Sequence, residues 1–364
     1  MRAMPVHRPV SVWPVLVALL GMTLAGCRTL PREPVVTLRP APPVFFPGAD
    51  RKAPDQPGDT DSNSPLHWSG DTLFVFNSAG HPWRAGGPDL FGLGQTYLRT
   101  EYHNQTNGGR WIESTWKAAE GTLYGWYHFE PTGLCPGTGL TAPRIGAARS
   151  RDDGAHWEDL GVMLEAPPGT LNCGTRNFYF AGGHGDFCVV LDQRQRWLYF
   201  FFSTYTGPAA EQGVAVARMP WADRDAPVGR VWKWHAGAWT EPGLGGRATP
   251  IFPARVDWHR EDADAFWGPA IHWNHHLRRY VMLLNRARDS HWTQEGVYVS
   301  FNADLANPHG WSPPRKILGE LPADGWYPQV VGLDTARRET DKLAGRAARL
   351  FVRGQSRWEI VFDH

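Results

Sequence analysis

Short β-rich runs that recur three times in the same order constrain this chain more than any other feature. The first set reads RWIESTW (110–116), TLYGWYHF (122–129), RIGAARS (144–150) and HWEDLGVML (156–164). The second reads GDFCVVLD (185–192), RWLYFFFSTY (196–205), GVAVARM (213–219) and RVWKWHAGAW (230–239). The third reads FWGPAIHWN (266–274), RRYVMLLNR (278–286), GVYVSFN (296–302) and WSPPRKIL (311–318). In each set the second run is the most aromatic and the third alternates small residues. Gly, Pro, Asn and Asp separate the runs, and no sustained 3.6-residue apolar period competes with them.

Partial sets flank the three full ones. DTLFVFNS (71–78) and GQTYLRT (94–100) precede them, and GWYPQVVGL (325–333), ARLFVRGQ (348–355) and RWEIVFD (357–363) follow. Five units of roughly 60 residues, each with up to four strands, predict an all-β, five-bladed β-propeller. Partial sets at both ends predict ring closure, with the strand near 71–78 entering the same blade as 357–363. A β-sandwich is the competing architecture, but it rarely holds so many strands in one domain.

The N-terminus has its own logic. Arg2, His7 and Arg8 precede an apolar run at 10–26 that is short and interrupted by Pro14, which predicts a signal peptide rather than a span. It ends in Leu24-Ala25-Gly26-Cys27, which resembles a bacterial lipobox. That resemblance implies lipidation at Cys27 and a place in the cell envelope, at the outer membrane or in the periplasm. Residues 1–26 are then the signal, 27–66 a Pro-rich tether, and 67–364 the propeller. A formal net charge of +1 offers no footprint for nucleic acid. An exported compartment permits disulfides. Cys135 and Cys173 lie in loop-like GLCPG and LNCGT and are the expected pair, with Cys188 a buried thiol in DFCVVLD. No spacing suggests a metal site or a cofactor, although a central structural cation is compatible with a propeller. A monomer is expected.

In a propeller the first strand of each blade lines the central tunnel, so its polar residues are the candidates for chemistry. These are Glu113, His184, Asp186, His272, Asn274 and Gln329, with Asp71 and Asn77 from the N-terminal set. Asp186 follows a Gly-Gly-His-Gly run, where glycines admit a ligand close to the backbone. An acid entering an apolar strand is costly unless used or paired. Glu113 sits between Trp111 and Trp116. Arg176 on the preceding loop and Glu295 at the start of a third strand are further candidates. For His184 and His272 a hydrogen-bonded core role is the plainer reading. Of the 19 Trp residues, Trp111, Trp267, Trp273 and Trp326 lie on first strands and are the expected sugar contacts.

Two resemblances sharpen this. Ser150-Arg151-Asp152-Asp153-Gly154-Ala155-His156-Trp157 fits S-x-D-x-G-x-x-W and resembles the Asp-box of sialidases and other propellers, a structural turn between third and fourth strands. The five units and the acids at inner-strand starts resemble the five-bladed glycoside hydrolases of families 43 and 32. The likeness implies a lipid-anchored hydrolase of a polysaccharide or oligosaccharide. Asp71 or Asp89 would supply the first-blade acid, Glu113 the second and Asp186 the third, with Glu and Asp exchanged relative to the family pattern. Glu113, desolvated by its tryptophans, is expected to be the raised acid and Asp186 the base; Glu295 with Asp71 is the next pair. A non-catalytic glycan-binding propeller, and a lyase built on His184, His272, Tyr327 and Arg176, are the competing functions.

Overall fold

The computed structural model describes Met1 and residues 33–48, 60–94, 96–102, 108–319 and 325–364. Cys27 and the signal sequence lie outside the described residues. From Pro34 to His364 the chain forms one compact unit.

Its strands follow in chain order. Strand β1 (Val35–Phe45) belongs to the last blade, and β2 (Leu66–Ser69), β3 (Thr72–Ser78), β4 (Pro82–Gly87) and β5 (Thr96–Arg99) form the first. The short β6 (Glu101–Tyr102) joins the outer edge of the second blade, β7 (Gly109–Lys117), β8 (Leu123–Glu130), β9 (Arg144–Ser150) and β10 (His156–Leu164). The third blade holds β11 (His184–Leu191), β12 (Trp197–Thr204), β13 (Gly213–Pro220), β14 (Trp232–His235), β15 (Ala238–Pro242) and a two-residue β16 (Phe252–Pro253). The fourth holds β17 (Ala265–Asn274), β18 (Arg279–Ala287), β19 (Gln294–Asn302) and β20 (Arg315–Leu318). The fifth holds β21 (Pro328–Gly332), β23 (Ala347–Val352) and β24 (Gln355–Asp363), while β22 (Leu343–Ala344) crosses back to pair with β17. These five sheets make a five-bladed β-propeller. The three full sets of runs coincide with the second, third and fourth blades.

Neighbouring inner strands touch in sequence: β2 with β7, β7 with β11, β11 with β17, and β17 with β21. Gln329 closes the ring by exchanging two 2.7 Å hydrogen bonds with the backbone of Ser64. An apolar core fills each gap between blades. Trp126, Phe187 and Phe200, for example, pack between the second and third. Full burial of side chains of this size stabilises by about 1.5–3 kcal/mol each.

Two expectations are corrected here. Residues 35–45, assigned to the tether, form β1, the outer strand of the fifth blade, antiparallel to β24. Val36 and Leu38 turn inward onto the core between the fourth and fifth blades, and an edge strand tolerates Pro40, Pro42 and Pro43 because its outer side needs no N–H. Closure therefore joins 35–45, not 71–78, to 355–363. Strand 72–78 is the second strand of its own blade, behind β2. Residues 60–65 are likewise packed: Asn63 Nδ2 reaches across the ring to Phe187 O at 3.1 Å and Pro269 O at 3.0 Å.

The turn from Ser150 to Trp157 joins β9 to β10. Ser150 Oγ accepts the Gly154 N–H at 2.8 Å, and Asp152 accepts the His156 N–H at 3.0 Å. Gly154 has φ +81°, and a Cβ there would lie 2.3 Å from Phe76, so the position requires glycine. Trp157 is fully buried between the first two blades. Cys135 and Cys173 are joined by a disulfide, and Cys188 is a buried free thiol.

Candidate active site

Inner strands β7 and β11 carry the site because each breaks its pairing at one residue. The register of β7 against β8 shifts between Ile112 and Ser114, and that of β11 against β12 between Gly185 and Phe187. The residues left over are Glu113 and Asp186. A bulge re-aims a side chain that would otherwise alternate with its neighbours, and both acids reach one cavity of about 640 Å³. It opens at the end of the tunnel where the inner strands begin.

Asp186 is the better enclosed in polar contacts. Its Oδ2 accepts a short hydrogen bond from Tyr205 Oη, and its Oδ1 accepts one from Tyr327 Oη at 3.2 Å. Its backbone is left-handed, at φ 42°, a conformation costly for a residue other than glycine. Glu113 is tied down more tightly. Its Oε2 accepts the Phe187 N–H at 2.6 Å, and its Oε1 lies 3.3 Å from His128 Nδ1. His128 reaches Glu130 Oε1 through Nε2 at 3.1 Å, and the Asp186 N–H points at its Nδ1 from 3.1 Å. Nδ1 thus lies between a donor and an acceptor, so it is served in either protonation state.

Electrostatics separate the two acids. Burial, with the nearby Glu113 charge, pushes Asp186 up to about 7, against the pull of His128 and the Tyr205 hydroxyl. Burial draws the His128 ring down, but its hydrogen bonds to Glu113 and Glu130 outweigh this and hold its pKa well above the usual value. Burial and the Asp186 charge keep Tyr205 and Tyr327 protonated. The carboxyl raised by its surroundings is thus Asp186, where Glu113 was expected. Trp111 and Trp116 lie on strand positions flanking Glu113, whereas the aromatic wall of Tyr205, Tyr327, Trp267 and Trp292 stands around Asp186. One ligand atom each from Glu113, His128 and Asp186 falls within 4.8 Å of the others, close enough to share a cation. The hydrogen bonds from Phe187, Tyr205 and Tyr327 already direct carboxylate lone pairs elsewhere.

Of the expected residues, Trp111, Arg176, Trp326 and Tyr327 line this cavity with the two acids. The others do not. His184 is buried against Lys233 Nζ at 3.1 Å, and burial with that cation holds its pKa well below normal. Burial and Lys342 push His272 down to about 3, deeper in the ring. Gln329 closes the ring, and Trp267 is fully buried beneath the cavity. Trp273 lies at the opposite mouth. Asp71 is fully exposed in the β2–β3 turn, 3.1 Å from Arg338, because β2 and not β3 is innermost. Asp89 accepts the N–H groups of its own turn. Glu295 pairs with Lys316 and Tyr298 on the outer surface.

Asp61, His128, Glu130 and Trp292 are among the wall residues that escaped the reading. Asp61 lines the cavity from the segment taken as tether, with its N–H fixed to Ser78 O at 2.8 Å. His128 and Glu130 lie on a second strand, which an inner-strand rule passes over. The acid-rich DTDSNSP was the available signal for Asp61.

No family model and no curated protein matches the chain. Solved structures do. An exo-1,5-α-L-arabinanase from a bovine ruminal metagenomic library superposes at TM-score 0.50 with 13% identity, over 84% of this chain and 92% of that one. A putative exo-β-1,3-galactanase from Bifidobacterium bifidum s17 gives 0.49 and 14%, over 84% and 90%. A thermostable family-43 glycoside hydrolase gives 0.48 and 10%, over 84% and 92%. The likeness is one of fold. The chain is thus a five-bladed propeller with a carboxylate cluster in one mouth of its tunnel.

Proposed function

We propose that the protein is a glycoside hydrolase in which Asp186 is the general acid, Asp61 the base, and Glu113 with His128 sets the proton affinity of Asp186. The observation that carries this is a carboxyl group held at about 7 in a walled cavity that a second acid also lines. A carboxyl so raised keeps its proton near neutrality and delivers it to a leaving oxygen. Glu113 is a poor base. Its oxygens are engaged by Phe187 and His128, and an oxygen of it lies within 4.8 Å of Asp186. Water between two acids needs a separation of about 6.5–9.5 Å.

In the reaction Asp186 protonates the glycosidic oxygen as the C–O bond breaks. Water attacks the anomeric carbon and gives its proton to Asp61, with inversion. Trp111 and Trp326, half-buried in the wall, offer indole faces to the sugar C–H faces, and Arg176 on the rim offers donors to hydroxyls. The exo-arabinanase of like fold is named for the same reaction class. A lyase is less supported, because His184 and His272 lie outside the cavity. From the resemblance of Leu24-Ala25-Gly26-Cys27 to a lipobox we also propose that a lipid on Cys27 holds this activity at a membrane surface, and Cys27→Ser should release the protein from the detergent phase. Reducing ends released from a polysaccharide panel test the reaction. Their absence together with glycan binding would mark a non-catalytic binder, and an unsaturated product a lyase.

A further inference from the structure

The other mouth of the tunnel, where the inner strands end, holds a second cavity of about 510 Å³. The first four blades and the connection between β21 and β23 line it, and its floor is closed by Lys342, whose Nζ lies 3.1 Å from Cys188 Sγ. Three indoles border it without being fully buried: Trp68, Trp116 and Trp273. Each is fixed from behind. Trp273 meets Tyr280 edge-on at 4.8 Å, Trp68 donates to Glu339 O at 3.0 Å, and Trp116 packs on the core between the second and third blades.

The cavity also holds polar groups that the fold leaves unsatisfied. Thr115 is 1% exposed and its Oγ1 has no hydrogen-bond partner among the described residues. His67 is 3% exposed, with Nε2 3.5 Å from Asp153 and Nδ1 without a partner among the described residues. Buried polar groups are normally paired, so an orphan in a cavity wall points to an occupant that supplies the partner. The charges here are balanced: Lys117 pairs with Asp153, Arg338 with Asp71 at 3.1 Å, and Lys342 with Asp341 at 3.1 Å. Paired cations offer no field for an anion. Rigid indole faces, an orphan hydroxyl and the side-chain amides of Gln193 and Gln195 suit a ligand with C–H faces and hydroxyl edges.

We propose that this mouth is a second, non-catalytic binding site for a neutral stretch of glycan chain. The choice of glycan rests on the hydrolase reading; the site does not. With about 510 Å³ it admits a sugar unit or two and would hold a polymer while the acids at the far mouth work on an end.

The test uses the full chain and the polysaccharide that yields reducing ends, cast into native gels. Trp273→Ala and Thr115→Val should each cut retardation about tenfold, with kcat and KM on short soluble oligosaccharides unchanged. Thr115→Val keeps the shape, so it tests the site even where Trp273→Ala weakens the fold. Hydrolysis with retardation unchanged in both variants would overturn the second site and leave the hydrolase standing. Trp273-dependent retardation on any panel glycan, without reducing ends, would overturn the hydrolase and leave the site standing. A Trp273-dependent doubling of mass without retardation would show that a second copy, not glycan, fills the mouth.

Discussion

Inner strands β11 and β17 are built alike and filled differently. Both lose register with their second strands at the same level, β11 at Asp186 and β17 at Gly268 and Pro269. Both turn left-handed there, at φ 42° for Asp186 and 55° for Gly268. One hydroxyl joins them: Ser203 Oγ donates to Asp186 O at 3.1 Å and accepts the Gly268 N–H at 2.9 Å. The bulge thus belongs to the propeller, and glycine satisfies it without strain. Where the chain places a buried Asp in that conformation, it accepts a cost of order 1–3 kcal/mol that the fold does not demand. Tyr327, also at φ 55°, fills the corresponding place before β21 and gives its hydroxyl to Asp186.

The largest effect expected from this contrast is on turnover. Asp186→Asn keeps the shape and the left-handed turn, which Asn tolerates, but cannot donate an acidic proton; kcat should fall by about 10²–10⁴. The same change should raise stability at pH 8 in urea unfolding, since position 186 then carries no charge. Its sign follows from linkage. With a folded value of about 7 against 3.8 unfolded, wild-type Asp186 contributes stability at low pH that is lost as pH rises through that window, and Asn removes that loss. A variant that is both inactive and less stable at pH 8 would break the comparison.

Next is the glycine side. Gly268→Ala puts a Cβ 2.6 Å from Asn285 Nδ2 at φ +55°, and should cost about 1–3 kcal/mol by thermal unfolding. Smaller is Glu113→Gln, which withdraws the charge that raises Asp186, so the alkaline limb of the pH–rate profile should move to lower pH. Smallest are Asp71→Asn and Glu295→Gln. Both acids sit in ion pairs away from the cavity of the two acids, and each change should leave turnover and the urea-unfolding midpoint unmoved.

Blade order was legible because period-2 patterning and turn residues repeat locally. Glu113 and Asp186 were legible because an acid inside an apolar run is conspicuous. The tether error came from prolines, which read as linker but suit an unpaired edge, so β1 and Asp61 were hidden together. That Asp186 is the raised carboxyl was hidden because its surroundings include Tyr205 and Tyr327, 19 and 141 residues away along the chain. Of the flanking tryptophans, by contrast, Trp111 shares the cavity but packs on His128 at 5.5 Å, and Trp116 borders the opposite mouth.

The central claim is that Asp186 supplies the proton to the departing sugar. Its most direct test compares two leaving groups in Asp186→Asn, using the sugar found by the reducing-end screen. An aryl glycoside whose phenol needs no proton should keep most of its wild-type rate, while the natural glycan loses about 10²–10⁴. Equal loss on both substrates, or full activity on the glycan, would contradict the assignment.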